Sequence, residues 1–237
     1  MQGNINDETT LSSNLFLNNF DIVAGDFNSD GYDDIALLFL KPAGTNNWAL
    51  WITIYTIDSN GNFIRKSSQE VFEEPAYNIT EVNIDGIAGS LDSDAEMEIA
   101  YGFSFFQGEQ SGNDTYVYLL DIKDNLDSII VDDSKRVDEN LVGPNEMEPF
   151  NIGAGDFDKD NHDELVMISG GRIFLYSVDN DLNPTYKSQQ TVGAQTYNLD
   201  SDAFVAVDDM DLDRSSEIVV AKSFRDEEPG GLQHFEI

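Results

Sequence analysis

The chain has 237 residues with 46 acidic against 12 basic side chains, a formal charge of −34. That excess excludes a nucleic-acid surface, which needs clustered Lys and Arg, and opposes an anionic membrane face, yet 40% hydrophobic and 11% aromatic residues are ordinary globular composition. The absence of cysteine removes disulfides, zinc–thiolate centres and a cysteine nucleophile. No run of about 18 apolar residues is present to span a membrane. The polar start, residues 1–6, lacks the regions of a signal peptide, so an exported form is expected to have lost its signal or to be an excerpt.

In chain order the pattern is strand after strand. Apolar or alternating runs predict strands at 20–23, 35–40, 48–55 and a more polar 63–72. A second unit offers 99–106, 115–122 and 128–131. In a third, 165–168 and 173–176 flank Gly170-Gly171, a two-residue hairpin signal. A fourth has 204–207, 218–221 and a third strand at 233–237, one short of the others. No convincing 3.6-residue amphipathic period interrupts them. Inner strands apolar on both faces must be sandwiched between neighbours, as radial packing provides. The expected fold is therefore all-β: one β-propeller domain over 1–237, with four-stranded antiparallel blades at about 19–72, 82–137, 150–191 and 202–237. Residues 10–17 are a candidate closing outer strand. Both a small closed ring of four blades and part of a larger propeller fit the pattern.

Between the first two strands of each unit lies an acidic loop, and the four loops superpose without gaps. They begin at Asp26, Ser90, Asp156 and Asp209, with acids recurring at the first, third, fifth and ninth places; Asn28 and Ser90 are the exceptions. Side chains at the first, third and fifth places of such a loop converge. The sixth turns the chain, the seventh offers its carbonyl and the ninth closes the set. An oxygen-only, multi-carboxylate, flexible donor set suits Ca²⁺ better than transition metals or Mg²⁺.

The candidate ligands are Asp26, Asn28, Asp30, the Tyr32 carbonyl and Asp34, with Gly31 at the turn; and Asp156, Asp158, Asp160, the His162 carbonyl and Glu164, with Asn161 at the turn. The fourth loop supplies Asp209, Asp211, Asp213, Ser215 and Glu217 but puts Arg214 at the turn. The second supplies Ser90, Asp92, Asp94, Glu96 and Glu98 with Ala95 there. Up to four Ca²⁺ ions follow, with the loops at 26–34 and 156–164 first in order and that at 90–98 last. An EF-hand would need an acid at the twelfth place; Leu37, Tyr101, Met167 and Val220 stand there. Asp-rich turns that merely cap strands are the plainer alternative, but several carboxylates in one loop repel, and a cation relieves that.

The runs Gly25-Asp26-Phe27-Asn28-Ser29-Asp30-Gly31-Tyr32-Asp33-Asp34 and Gly155-Asp156-Phe157-Asp158-Lys159-Asp160 resemble FG-GAP (VCBS-type) repeats, the blades of integrin α-subunit-like propellers. The resemblance covers nearly the whole chain. It implies a propeller whose first inter-strand loops bind structural Ca²⁺, usually outside the cell. Propellers of that family commonly have seven blades, so four is a departure.

The expected function is a calcium-stabilised extracellular or cell-surface interaction module with a protein or glycan ligand, without nucleic acid and without membrane insertion. A polysaccharide-active enzyme and a purely structural spacer or assembly subunit are the alternatives. Against an enzyme, His162 and His234 are the only histidines, and neither has a recognisable Ser or Cys partner motif. Trp48, Trp51 and Tyr55 are a possible sugar-stacking platform, but their place in a strand apolar on both faces favours core, as it does for Phe103, Phe105 and Phe106.

Overall fold

The computed structural model of the chain describes residues 20–42, 47–75, 82–106, 113–132, 135–141, 150–169, 172–191, 203–225 and 233–236. Among them the regular structure is all strand and antiparallel, in four separate sheets. Sheet one is a meander of β1 (Phe20–Gly25), β2 (Asp34–Pro42), β3 (Asn47–Ile57) and β4 (Phe63–Pro75). Sheet three repeats it with β10 (Phe150–Gly155), β11 (Glu164–Ser169), β12 (Arg172–Val178) and β13 (Pro184–Thr191). Sheet four has three strands, β14 (Ala203–Asp208), β15 (Glu217–Arg225) and β16 (Gln233–Glu236). The candidate closing strand at 10–17 lies outside the described residues, as does the Gly170-Gly171 pair.

Sheet two departs from the expected four strands. It starts with β5 (Val82–Gly89), β6 (Glu98–Phe106) and β7 (Asn113–Lys123), but β7's outer edge is shared. β8 (Ser128–Ile130) pairs with its end at Asp121–Lys123, whereas β9 (Arg136–Leu141) pairs with Asn113–Tyr118. Between the two, the Lys135 N–H donates to the Asp132 carbonyl at 2.8 Å. The expected outer strand at 128–131 is thus split, and the unit runs on past 137 to 141.

Of the strands that read as apolar on both faces, β11 is buried on both, whereas residues 218–221 of β15 are half-buried. Every residue of β11 is buried. One apolar layer joins sheets one and two through Val23, Leu38, Ile52, Tyr101 and Tyr118. Another joins sheets two and three through Leu91, Leu119, Phe150, Leu165 and Met167. Each large side chain so buried contributes roughly 1.5–3 kcal/mol. Phe103 belongs to the first layer, while Trp51 and Tyr55 are half-buried.

What sets the sheets side by side is their first strands: β1 packs on β5, β5 on β10 and β10 on β14. Glycine makes the approach close enough. A Cβ on Gly86 would lie 2.2 Å from Leu38 Cδ1 and 2.8 Å from Val23 Cγ2. Across each contact one side chain reaches a backbone N–H of the next sheet. Asp21 Oδ2 accepts from the Gly86 N–H at 2.8 Å, Asp85 Oδ2 from the Ile152 N–H at 2.6 Å, and Asn151 Oδ1 from the Val205 N–H at 2.6 Å. The Asn151 amide also donates to Asp85 Oδ2 at 2.6 Å, which links two rungs. The three acceptors occupy equivalent places, five residues before each acidic loop. Burial, with the neighbouring Asp21 carboxylate adding to it, pushes the Asp85 carboxyl up to about 7 despite the Ile152 N–H.

No sheet closes on itself, and among the described residues no packing of β14 on β1 matches the other three contacts.

Two outcomes follow. Gly86→Ala should destabilise by about 1–3 kcal/mol, because Val23 and Leu38 are both buried and have nowhere to move; a shift in urea midpoint without a change in slope is the readout. An unfolded Asp titrates near about 3.9, so between about 4 and 7 the folded chain holds a proton on Asp85 that the unfolded chain lacks. Stability from this group therefore falls as the pH rises through that window and levels off above it. Asp85→Asn keeps the acceptor, as Asn151 does one sheet further on, and should remove that fall. Urea midpoints compared at pH 5 and 8 should show a gain at pH 8 on the order of 1–4 kcal/mol.

Candidate metal centres

Each acidic loop joins the first and second strands of its sheet, so the packing of first strands puts the loops in one row. The row is stitched by backbone hydrogen bonds. The eighth-place N–H of a loop donates to the first-place carbonyl of the loop before it: Met97 to Asp26 at 3.1 Å, Asp163 to Ser90 at 2.7 Å and Ser216 to Asp156 at 2.7 Å. Side chains add to this. Asp163 Oδ2 accepts from the Ser90 N–H at 2.9 Å, and Ser215 Oγ donates to the Phe157 carbonyl at 2.9 Å.

Three loops share one backbone. Their fourth and sixth places are left-handed: Ser29 (φ 55°) and Gly31 (φ 85°), Lys159 (φ 68°) and Asn161 (φ 69°), Leu212 (φ 63°) and Arg214 (φ 76°). The first-place carboxylate drives this shape. Asp26 accepts the Asp30 and Gly31 N–H groups on separate oxygens. Asp156 does the same for Asp160 and Asn161, and Asp209 for Asp213 and Arg214. The fifth-place carboxylate then accepts the seventh-place N–H: Asp30 from Tyr32, Asp160 from His162, Asp213 from Ser215.

The second loop departs from this frame. Ser90 has no carboxylate to hold the fifth and sixth N–H groups, and neither Ser93 nor Ala95 has a positive φ. Asp92 accepts from the Asp94 N–H, and Asp94 from the Glu96 N–H.

All four ninth places turn inward in the same way. One oxygen of Glu98 accepts the Leu91 and Asp92 N–H groups. Glu164 accepts from Phe157 and Glu217 from Met210, and the Phe27 N–H likewise meets Asp34. In two of the four the other oxygen is left over. Asp34 Oδ2 and Glu98 Oε1 are buried with no hydrogen-bond partner, each on a side chain only 1% exposed. Burial, with the Asp92 charge second, lifts Glu98 to about 8; burial likewise raises Asp34 and Glu164.

Carboxylate oxygens of Asp92, Asp94 and Glu98 lie within 4.8 Å of one another, as do those of Asp156, Asp158 and Glu164, and those of Asp209, Asp211 and Glu217. In the first loop Asn28 replaces one acid, and its amide donates to Asp30 Oδ2 at 3.2 Å and to Asn125 Oδ1 at 3.1 Å.

Two lysines bear on the set. Lys123, from the end of β7, places Nζ 3.0 Å from Asp94, 2.9 Å from Asp121 and 3.8 Å from Glu96. Burial opposes its charge, but the Asp121 and Asp94 carboxylates outweigh that and hold the ammonium above its ordinary range. Lys159, in the third loop, reaches Asp213 of the fourth at 3.1 Å. Lys123 lies too far along the chain from Asp94 for any local pattern to pair them.

No protein-family model and no curated protein matches the chain. Among solved structures, one similar chain is an Agrocybe aegerita lectin described as specifically recognising non-reducing terminal N-acetylglucosamine, at 11% identity and a TM-score of 0.39. The match covers 93% of this chain and 66% of the lectin's. A likeness that remote decides neither fold nor ligand.

Arg214 holds a left-handed conformation that costs a non-glycine residue roughly 1–2 kcal/mol. Arg214→Gly relieves this but loosens the unfolded chain by about 0.5–1 kcal/mol, so a net stabilisation of about 0.5–1 kcal/mol is expected in urea unfolding.

Proposed function

We propose that the chain is a calcium-stabilised interaction module whose four sheets are blades of β-propeller type, working outside the cell or at its surface on a protein or glycan ligand. The observation that carries the metal reading is the pair of buried, unpartnered carboxylate oxygens, Asp34 Oδ2 and Glu98 Oε1, at the closing place of the acidic loops. A buried carboxylate oxygen without a partner costs free energy that a coordinated cation offsets. The donor set fits a hard, oxygen-seeking ion: carboxylates at the first, third, fifth and ninth places of the third and fourth loops, with no thiol and no imidazole nitrogen in the set.

The loops are not equivalent in this reading. The loops at 26–34 and 156–164 have the shared left-handed frame and no lysine on their own carboxylates among the described contacts, so they take Ca²⁺ first. Asp213 of the fourth loop shares its charge with Lys159. The second loop lacks the frame, and Lys123 already answers Asp94 and Glu96; it takes Ca²⁺ last. At such a location the loops need bind Ca²⁺ only at about 10⁻⁴–10⁻³ M. The interaction role rests on the resemblance of the loops to FG-GAP-type repeats. The serial packing of first strands, β1 on β5, β5 on β10 and β10 on β14, supports the propeller reading.

Calorimetric titration of the chelated protein with Ca²⁺ tests the proposal. Heat of binding should accompany a rise in melting temperature, worth about 2.7 kcal/mol per site at roughly one hundred times the dissociation constant. Asp156→Ala together with Asp158→Ala should remove the third loop's share, whereas Asp92→Ala should remove little. No heat and an unchanged melting temperature would show that the loops are strand caps and nothing more.

A further inference from the structure

The second acidic loop keeps a demand for positive charge that its backbone does not meet. Carboxylate oxygens of Asp92, Asp94 and Glu98 lie within 4.8 Å of one another, and Glu98 Oε1, on a residue only 1% exposed, has no hydrogen-bond partner. Ser90 brings no acid to gather the loop's N–H groups as Asp26 and Asp156 do in theirs. Into this set reaches Lys123, from the end of β7. Its Nζ stands 3.0 Å from Asp94 and 3.8 Å from Glu96, and it is steadied from its own strand by Asp121 at 2.9 Å.

A surface lysine beside a carboxylate usually contributes little, because a long side chain must be ordered to hold the pair. Here the backbone does part of the ordering. Lys123 pairs with Ser128 to close the turn between β7 and β8, and the next three residues, Asp124, Asn125 and Leu126, are all left-handed, at φ 55°, 55° and 72°. Such a run is costly for residues with a Cβ and persists only where the surroundings hold it. Leu126 is fully buried in the layer that joins sheets one and two, and Asn125 Oδ1 accepts from the Asn28 amide of the first loop at 3.1 Å. The turns at the same place in sheets one and three close on Ile57 with Phe63 and on Val178 with Pro184. Each holds a single left-handed residue, Gly61 or Leu182. Of the three, sheet two alone puts a charged side chain at the closing place.

We propose that Lys123 is the resident cation of the second loop. Its ammonium takes up the charge of Asp94 and Glu96 that a metal ion would need, and so keeps Ca²⁺ from this loop at concentrations that fill the others. The substitution is partial, because the ammonium reaches Asp94 and Glu96 and leaves Glu98 Oε1 unanswered. With the ammonium gone, Asp92, Asp94 and Glu98 remain as a three-carboxylate donor set for a hard cation. This role presupposes the metal reading of the loops, in which the other three take Ca²⁺.

Equilibrium dialysis against Ca²⁺ counts the ions held by the wild-type chain, by Lys123→Met and by Lys123→Arg, with circular dichroism to follow folding. At a concentration that just fills the wild-type sites, Lys123→Met should hold one ion more and Lys123→Arg the same number. Adding Asp94→Asn to Lys123→Met should remove the extra ion. In EDTA, Lys123→Met should unfold at lower urea than the wild type, and Ca²⁺ should close that gap. A Lys123→Met chain with no extra ion, beside a wild type that binds Ca²⁺, overturns the role of Lys123 and leaves the metal reading standing. No Ca²⁺ on either chain overturns both. Equal urea midpoints in EDTA also overturn the role, since Lys123 would then hold nothing together.

Discussion

A carboxylate taken out of water has to be answered by something, and in this chain the answer is mostly backbone N–H. Asp21 and Asp85 reach across from one first strand to the next and accept an N–H that no strand partner uses. Asn151 does so without the charge. The spacing that makes this possible is set by glycines such as Gly86, where even a methyl group would meet Val23 and Leu38. Together the two elements bring the first strands to hydrogen-bonding distance, and the acidic loops that follow those strands are aligned by it.

The loops obey the same rule at shorter range. In three of them the first-place carboxylate gathers two N–H groups and thereby folds the backbone into left-handed turns at the fourth and sixth places. The ninth-place carboxylate closes from the strand side, and in the first two loops, at Asp34 and Glu98, it keeps one buried oxygen without a donor. Where Ser90 replaces the first acid, the frame is absent and a lysine supplies the positive charge. Loop shape and cation demand are therefore coupled: the acid that shapes the turn is also the acid that crowds it. The stitching of each loop to the next, through Met97, Asp163 and Ser216, spreads that coupling along the row.

The strands and the acidic loops were legible because both obey local rules. Apolar runs such as Leu165–Ile168 have no polar face to turn to solvent, and they are buried throughout. Acid places two apart converge in any tight loop. Other features were not legible. The ladder residues are two Asp and one Asn, unremarkable among 46 acids until the sheets stand side by side. The split outer edge of sheet two depends on a turn at Asp132–Lys135 that no hydrophobic pattern marks. The left-handed fourth place, held by Ser29, Lys159 and Leu212, has no residue type in common.

By itself the sequence determined an all-β chain in repeating units with an acidic loop after each first strand, since hydrophobic period and residue type act within a few residues. Only the tertiary structure decided which carboxylates lose water, which meet a lysine and which keep an unanswered oxygen. Desolvation and charge pairing depend on what packs from elsewhere in the chain, as Lys123 does on Asp94 and Asp21 on Gly86, and residue order carries no record of that distance.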